Sequence, residues 1–218
     1  VRHPQIAYPE NDLWHGPWAQ APHHCVTYDS CHDNHALWDK LVLTTPGLRD
    51  ADRLAMNRLA AVLVLTSQGI AFLHAGEEMA RTKKGRENTY NLPDSVNAID
   101  WRRKTKHADL VAYYRGLIAL RKTHPAFRLQ TAADIRRGLA FLNMPAPGMV
   151  GYILQSPAGG TLFAVLLNAT AQSQTVTLPA AGWRVLVDAR RAGTQTLRRL
   201  PGDSCPLPPR SALVLAKT

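Results

Sequence analysis

Polar side chains that could carry chemistry are concentrated around Asp33. A strand is predicted over residues 25–30, the chain then reaches His32-Asp33-Asn34, and a long apolar helix is predicted over 52–67. Active sites of α/β barrels lie at the carboxyl ends of strands that lead into helices. This position predicts that Asp33 is an active-site carboxylate with His32 beside it. A strand that ends in a solvated Asx turn would give the same pattern.

A second group of acidic side chains, Glu77-Glu78, follows the next predicted strand, over 70–76. Two carboxylates could act as an acid–base pair. Adjacent residues of a strand, however, point to opposite faces of a sheet. We therefore expect both glutamates to have a structural role at the end of the strand.

The polar segment at residues 87–97 supplies amide, phenol and carboxylate groups just after that second strand. Carbohydrate sites use carboxylates to bind hydroxyl groups and aromatic faces to pack against sugar rings. The segment is therefore a candidate sugar-binding loop. Taken alone, the segment is better explained as a plain loop of turn-forming residues.

Histidine and cysteine are crowded between residues 15 and 35, but their spacing matches neither C-x2-C nor H-E-x-x-H, so we predict no metal site. Cys25 and Cys31 would lie at opposite ends of one strand, too far apart for a disulfide, and we expect them to be reduced or inert. The zinc candidates considered are His15, His23, His24, Cys25, Cys31, His32, Asp33 and His35.

The charge and hydropathy of the chain argue against two classes of partner. The 218 residues carry a formal net charge of +10, but the basic residues are scattered along the sequence, so we expect no specific nucleic-acid partner. Without about 18 consecutive apolar residues, no membrane span is expected. The compartment cannot be read from this sequence. The opening residue, Val1, suggests a piece of a longer protein.

The order of predicted elements changes near Pro125. Before it, strands alternate with helices, including one that Asp50 or Asp52 could cap and one over 108–124, which is typical of a parallel sheet. After it, short β-type runs separated by turns are typical of an antiparallel β-sandwich. The sequence therefore predicts the end of an α/β domain followed by a β-domain.

Several long strings resemble the type I pullulanases, starch-debranching members of the α-amylase superfamily (glycoside hydrolase family 13). Residues 26–41 resemble the motif of the seventh barrel strand, and residues 67–78 that of the eighth. Residues 81–101 are similar to the family's loop after the eighth strand, and 119–128 to its exit into the C-terminal β-domain. The resemblance runs from about residue 24 to the end of the chain.

This resemblance implies a fold. Residues 1–125 would be part of a (β/α)₈ TIM barrel, its last two strand–helix units, and residues 126–218 an antiparallel β-sandwich. It also implies hydrolysis of α-1,6 linkages in pullulan, amylopectin, glycogen or limit dextrins by a retaining mechanism, without an organic cofactor. A structural Ca²⁺ would suit the family, but no ligand set can be named.

The resemblance also assigns residue roles. Asp33 matches the carboxylate that stabilises the transition state, and the substrate-binding positions are His32, Asn34, Tyr90, Asn91 and Asp94. The nucleophile and the general acid of the family lie on the fourth and fifth strands, and nothing here matches them. The expected partners are an α-glucan and the missing N-terminal part of the same protein, and we expect the isolated chain to be inactive and poorly soluble.

Three other functions remain open from the sequence. The first is another activity of the same superfamily, such as an isoamylase or an α-1,4-acting amylase. The second is a non-catalytic glucan-binding fragment. The third is a basic nucleic-acid-binding domain.

Overall fold

The computed structural model describes residues 19–156 and 158–217. Two short strands, β1 (Val26–Thr27) and β2 (Ile70–Ala71), pair in parallel, with Val26 opposite Ile70. They are much shorter than the predicted strands over 25–30 and 70–76. Within the described residues each has the other as its hydrogen-bonded neighbour, so regular ladder bonding extends over only two positions.

The β1–β2 pair exposes large apolar side chains. Val26, Tyr28, Ile70 and Phe72 are 52, 53, 50 and 42% exposed, respectively, and the Tyr28 and Phe72 rings meet edge to face at 5.9 Å. Parallel sheets are normally covered on both faces, and their strands are rich in apolar residues for that reason. This pair therefore has the surface of strands that belong inside a larger sheet.

Two helices, α1 (Leu37–Thr44) and α2 (Asp50–Thr66), connect β1 to β2. Helix α1 was not predicted. The prediction that Asp50 or Asp52 caps α2 is wrong, because Arg49 occupies the N-cap position and makes no side-chain capping hydrogen bond. The two carboxylates instead pair with arginines, Asp50 with Arg53 at 2.9 Å and Asp52 with Arg49 at 3.1 Å. The negative charges of these two residues in the first turn still stabilise α2 by interacting favourably with the helix dipole.

Three further helices follow β2. The short helices α3 (Asp94–Asn97) and α4 (Arg102–Lys106) lead into α5 (Ala108–Thr123), which packs against α2. Helix α5 begins where predicted and ends at Thr123, one residue short of the predicted end at His124; Pro125 follows and cannot continue a helix.

The remainder of the described chain is an all-β domain with antiparallel sheets, as predicted, preceded by the unpredicted helix α6 (Ala132–Gly138). Its strands are β3 (Leu139–Phe141), β4 (Met149–Gln155), β5 (Leu162–Asn168), β6 (Gln174–Thr177), β7 (Arg184–Val187), β8 (Arg198–Arg199), β9 (Ser204–Leu207) and β10 (Ser211–Lys217). Six of them form one sheet in the order β3-β4-β5-β10-β7-β8, and β6 pairs with β9 in a second sheet. Strands β8 and β9 were not predicted.

Both faces of the six-stranded sheet are buried, which explains the nearly continuous apolar run of β5. Phe163 and Val165 face α2 and α5, whereas Ala164 and Leu166 face the β6–β9 sheet. Because successive side chains of a strand alternate between faces, a strand covered on both sides must be apolar throughout. The helices and the β-domain therefore share one hydrophobic core.

Polar contacts reinforce this junction at its edges. The Tyr113 hydroxyl of α5 donates to the carbonyl oxygen of Asp188 at 2.9 Å, and Thr66 of α2 lies 2.7 Å from the Tyr152 hydroxyl of β4. Helix α5 also comes very close to the connection between β7 and β8. A Cβ atom added at Gly116 would lie 1.9 Å from the carbonyl oxygen of Ala192.

Replacing Gly116 with alanine should therefore destabilise the chain, although the same change in a helix interior usually stabilises it by up to about 1 kcal/mol. The added methyl group must push α5 away from Ala192, and such overpacking costs about 1–3 kcal/mol. Denaturant unfolding of Gly116→Ala should show a lower free energy of unfolding. Arg115→Ala, at the exposed neighbouring position, should change it by less than about 0.5 kcal/mol. An unchanged Gly116→Ala variant would show that the close approach is not maintained in solution.

Candidate functional site

A cleft of about 490 Å³ lies between the segments that follow β1 and β2. The first segment contributes His32 and Asp33, and the second contributes the remaining lining residues. The carboxyl ends of two parallel strands meet at one edge of a sheet, which is why segments some fifty residues apart in sequence share this cleft. Its lining residues are His32, Asp33, Lys83, Glu87, Asn88, Thr89, Tyr90 and Asn97.

Asp33 is exposed and faces this cleft together with His32. The backbone N–H of Asn34 donates to Asp33 Oδ1 at 3.1 Å, and Asn34 itself has φ = +62°. Asparagine tolerates this left-handed conformation better than most residues. This bond reaches only the next residue, whereas an Asx turn bonds the backbone two residues on, and the Asp33 carboxylate lies on the wall of the cleft.

The other predicted binding residues fall into two groups. Tyr90 lines the cleft and is 85% exposed as a residue, so an aromatic face is available to a ligand. Asn34, Asn91 and Asp94 are exposed but do not line the cleft, and Asp94 is the first residue of α3. The cleft therefore brings His32, Asp33 and Tyr90 together, and the other three residues lie outside its lining.

Lys83, Thr89 and Asn97 line the cleft but were not predicted as site residues. Lys83 and Thr89 are each 4% exposed. The sequence gives no sign of their burial, because a lysine and a threonine in a polar loop are ordinarily solvated. Their role depends on contacts that join distant parts of the chain.

Two side chains, the buried Asp39 and the half-buried Asn97, hold the loop after β2 in place. Asp39 of α1 is 4% exposed and accepts hydrogen bonds from the Thr82 hydroxyl and, at 2.6 Å, from the backbone N–H of Lys83. The Asn97 amide donates to the carbonyl oxygens of Thr89 and Leu92 at 2.7 and 2.8 Å. These bonds fix a segment that has no strand neighbours of its own.

A pair of carboxyl groups, Asp29 and Glu77, lies beneath the two loops. Glu77 is 5% exposed and accepts hydrogen bonds from Ser30 and from Tyr114 of α5, each at 3.1 Å. Burial, followed by the negative charge of Asp29, raises the pKa of Glu77 to about 8. Burial also raises the pKa of Asp29. At neutral pH the pair therefore retains a proton, which allows one carboxyl to donate to the other.

Glu77 and Glu78 lie in a 3-10 turn, Glu77–Met79, rather than on the predicted strand. Glu77 is buried, whereas Glu78 is half-buried and accepts a hydrogen bond from the Gly76 N–H at 3.1 Å. Glu78 thus makes a local contact to the backbone of its own turn. Glu77 connects the segment after β1 to α5 through the Ser30 and Tyr114 hydroxyls.

In residues 19–156 and 158–217, no group of three or more histidine, cysteine, aspartate or glutamate side chains is arranged to hold a metal ion. His15, one of the zinc candidates, lies outside the described residues. Cys25, Cys31 and Cys205 are free thiols. In the same part of the chain, no helix combines the length and apolar character needed to cross a bilayer.

Comparisons with known proteins confirm the resemblance to the C-terminal region of pullulanases. The family model "Pullulanase, all-beta domain" matches residues 135–191. The pullulanase of Bacillus subtilis is 44% identical over 128 residues, which cover 59% of this chain and 18% of that protein. The chain thus spans only about a fifth of the length of this relative.

Two solved structures extend the similarity to nearly the whole chain. A pullulanase from Bacillus acidopullulyticus has a TM-score of 0.86 at 38% identity, covering 91% of this chain and 25% of that one. The pullulanase of Paenibacillus barengoltzii, solved as a complex with maltohexaose and alpha-cyclodextrin, has a TM-score of 0.80 at 45% identity, covering 91% and 30%. The similarity therefore includes the α/β part as well as the β-domain.

Glu77→Gln should remove a pH dependence of stability from this chain. Between the usual glutamate pKa of 4.5 and the folded value of about 8, the native state holds a proton that the unfolded chain releases. The free energy of unfolding therefore falls as pH rises through this range and levels off above it. Glutamine does not ionise but keeps a donor for Asp29 and an acceptor for Tyr114.

Thermal unfolding of the wild-type chain at pH 5, 6.5 and 8 would measure this slope. Glu77→Gln should give a flatter profile, whereas the neighbouring variant Glu78→Gln should keep the wild-type slope. Equal slopes for all three proteins would contradict the proton-sharing pair.

Proposed function

We propose that this chain is the C-terminal part of a pullulanase-like debranching glycoside hydrolase. The intact protein would cleave α-1,6-glucosidic linkages in pullulan, amylopectin, glycogen or limit dextrins. One observation carries the proposal: Asp33, His32 and the exposed ring of Tyr90 face one cleft of about 490 Å³. A similar chain of known structure was solved with maltohexaose, which supports an α-glucan as the ligand.

In this proposal β1 and β2 are the last two strands of a (β/α)₈ barrel, residues 1–125 are part of the barrel domain, and residues 126–218 are the C-terminal β-sandwich. The parallel pairing of β1 with β2 and the helices between them support it. The exposed apolar side chains of both strands also support it, because further barrel strands would cover them. The upstream part of the same protein is therefore the proposed partner of this surface.

The proposed mechanism gives Asp33 a role in the transition state. A retaining glycosidase uses a nucleophilic carboxylate and a general acid about 5–5.5 Å apart, and both would come from the upstream strands. Asp33 would bind sugar hydroxyls most strongly when positive charge develops on the ring, which lowers the barrier rather than strengthening ground-state binding. His32 would bind the same sugar, and the ring of Tyr90 would pack against a sugar face.

Asn34, Asn91 and Asp94 would contact sugar units beyond the cleft. All three are exposed on the two segments that form the cleft, so a glucan chain longer than the cleft could reach them. No organic cofactor is required by this chemistry.

The isolated 218-residue chain should release no reducing sugar from pullulan, because in this proposal the nucleophile and the general acid lie on upstream strands. The intact protein should hydrolyse pullulan, and reducing-sugar assays of both would measure this. Glucan binding without hydrolysis by the intact protein would favour a non-catalytic function, and a preference for α-1,4 oligosaccharides or for amylopectin alone would favour another activity of the superfamily.

Asp33→Asn in the intact protein should lower kcat by about 10²–10³-fold with a much smaller change in KM, as expected for a group that acts on developing charge. Asp203→Asn is a matched control, since Asp203 is exposed in the β-domain. Steady-state kinetics on pullulan would compare them. A change confined to KM in Asp33→Asn would assign Asp33 to ground-state binding instead.

A further inference from the structure

Lys83 is a buried lysine at the base of the candidate cleft. It is 4% exposed, and its ammonium donates to the carbonyl oxygen of His32 at 3.2 Å and to the Thr89 hydroxyl at 2.9 Å. Lysine is rarely buried to this extent, because the ammonium loses its hydration. The ammonium group of Lys83 therefore makes fixed hydrogen bonds inside the protein, which a solvated lysine would not make.

The two acceptors of Lys83 lie on different walls of the cleft. His32 belongs to the segment after β1, directly before Asp33, and Thr89 belongs to the segment after β2, directly before Tyr90. A single ammonium thus connects the carbonyl group behind the candidate transition-state carboxylate to the hydroxyl beside the candidate aromatic platform. The distance between these walls depends on the length of the lysine side chain.

The backbone of Lys83 is itself held in place. Its N–H donates to Asp39 Oδ2 at 2.6 Å, and Asp39 is buried on α1. The ammonium is therefore attached to a fixed point of the α/β part, and it does not move freely with the loop. Burial, followed by the positive charge of Arg81, lowers the pKa of Lys83, and the charges of Asp39, Cys31 and Asp33 offset this only in part.

A second connection between the same walls is weaker. His35 Nδ1 lies 4.0 Å from Glu87 Oε2, and the Glu87 side chain is 68% exposed. Exposed ion pairs contribute little because water and salt screen them. Hydrogen bonds from a buried ammonium are stronger, so Lys83 is the better fixed of these two links.

We propose that Lys83 is a positioning residue of the debranching reaction, which sets the place of His32 and Asp33 relative to Thr89 and Tyr90. This inference rests on the proposed function. It assigns Lys83 no contact with the reacting sugar bond. Its effect passes through the His32 carbonyl to the Asp33 carboxylate, whose position a transition-state contact requires to within a fraction of an ångström.

Lys83→Met in the intact protein tests this role. Methionine keeps an unbranched apolar side chain of similar length but removes the ammonium donors. We expect kcat on pullulan to fall by about 10–100-fold with little change in KM, since misplacement by about 1 Å can cost about 100-fold. Lys84→Met is the matched control, because Lys84 is the exposed neighbour on the same loop, and it should retain wild-type kinetics.

Thr89 provides a second test that leaves Lys83 in place. Thr89→Val removes the hydroxyl acceptor and should lower kcat in the same direction, whereas Thr89→Ser keeps the hydroxyl and should restore it. The double variant Lys83→Met with Thr89→Val should lose less than the product of the single losses, because both remove the same link. A purely structural role would lower the melting temperature while kcat per folded molecule stayed at the wild-type value.

Amide hydrogen exchange of the intact protein separates this inference from the proposed function. Lys83→Met should speed exchange in residues 31–36 and leave β5 unchanged, whether or not the wild-type protein hydrolyses pullulan. If the wild type is inactive on glucans, the proposed function fails and the exchange result alone decides whether Lys83 holds the segment. Wild-type kcat together with unchanged exchange in Lys83→Met would overturn the inference.

Discussion

The shared hydrophobic core between helices α2 and α5 and the six-stranded sheet is the constraint on which the rest of the structure depends. Phe163 and Val165 of β5 meet Leu117 and other side chains of these helices on one face, while Ala164 meets the β6–β9 sheet on the other. Because neither face of the sheet is left to water, the helices cannot move without exposing it. The same helices carry Asn57 and Tyr114, which bond to Glu77 beneath the loops of the cleft.

The connection from core to cleft is a buried polar network. The Tyr114 hydroxyl of α5 donates to Glu77 and lies 2.9 Å from Asn57 Oδ1 of α2, and Glu77 also accepts from Ser30, which follows β1. Such a network is stabilising only when each member has its partner, since an unpaired polar group in the interior is costly. Both carboxyl oxygens of Asp29 are buried without another hydrogen-bond partner, so Asp29 depends on the proton that the Asp29–Glu77 pair keeps near neutral pH.

Above this network, side chains rather than sheet bonding determine the shape of the cleft. Asp39, Lys83 and Asn97 each bond to backbone groups of the two loops. Loops that carry functional groups are usually held in this way on a rigid scaffold. A chemical group such as the Asp33 carboxylate therefore owes its position to residues that do not touch the ligand.

The sequence by itself determined the change from α/β to antiparallel β-structure near Pro125, the limits of α5 and the grouping of His32 with Asp33, because periodicity and chain breakers are local properties. It did not determine the lengths of β1 and β2, the helix α1, the caps of α2, or the burial of Glu77 and Lys83. These depend on which distant groups meet. Only the tertiary structure decided that Asp29 would contact Glu77, 48 residues away, and that Lys83 would reach His32 and Thr89.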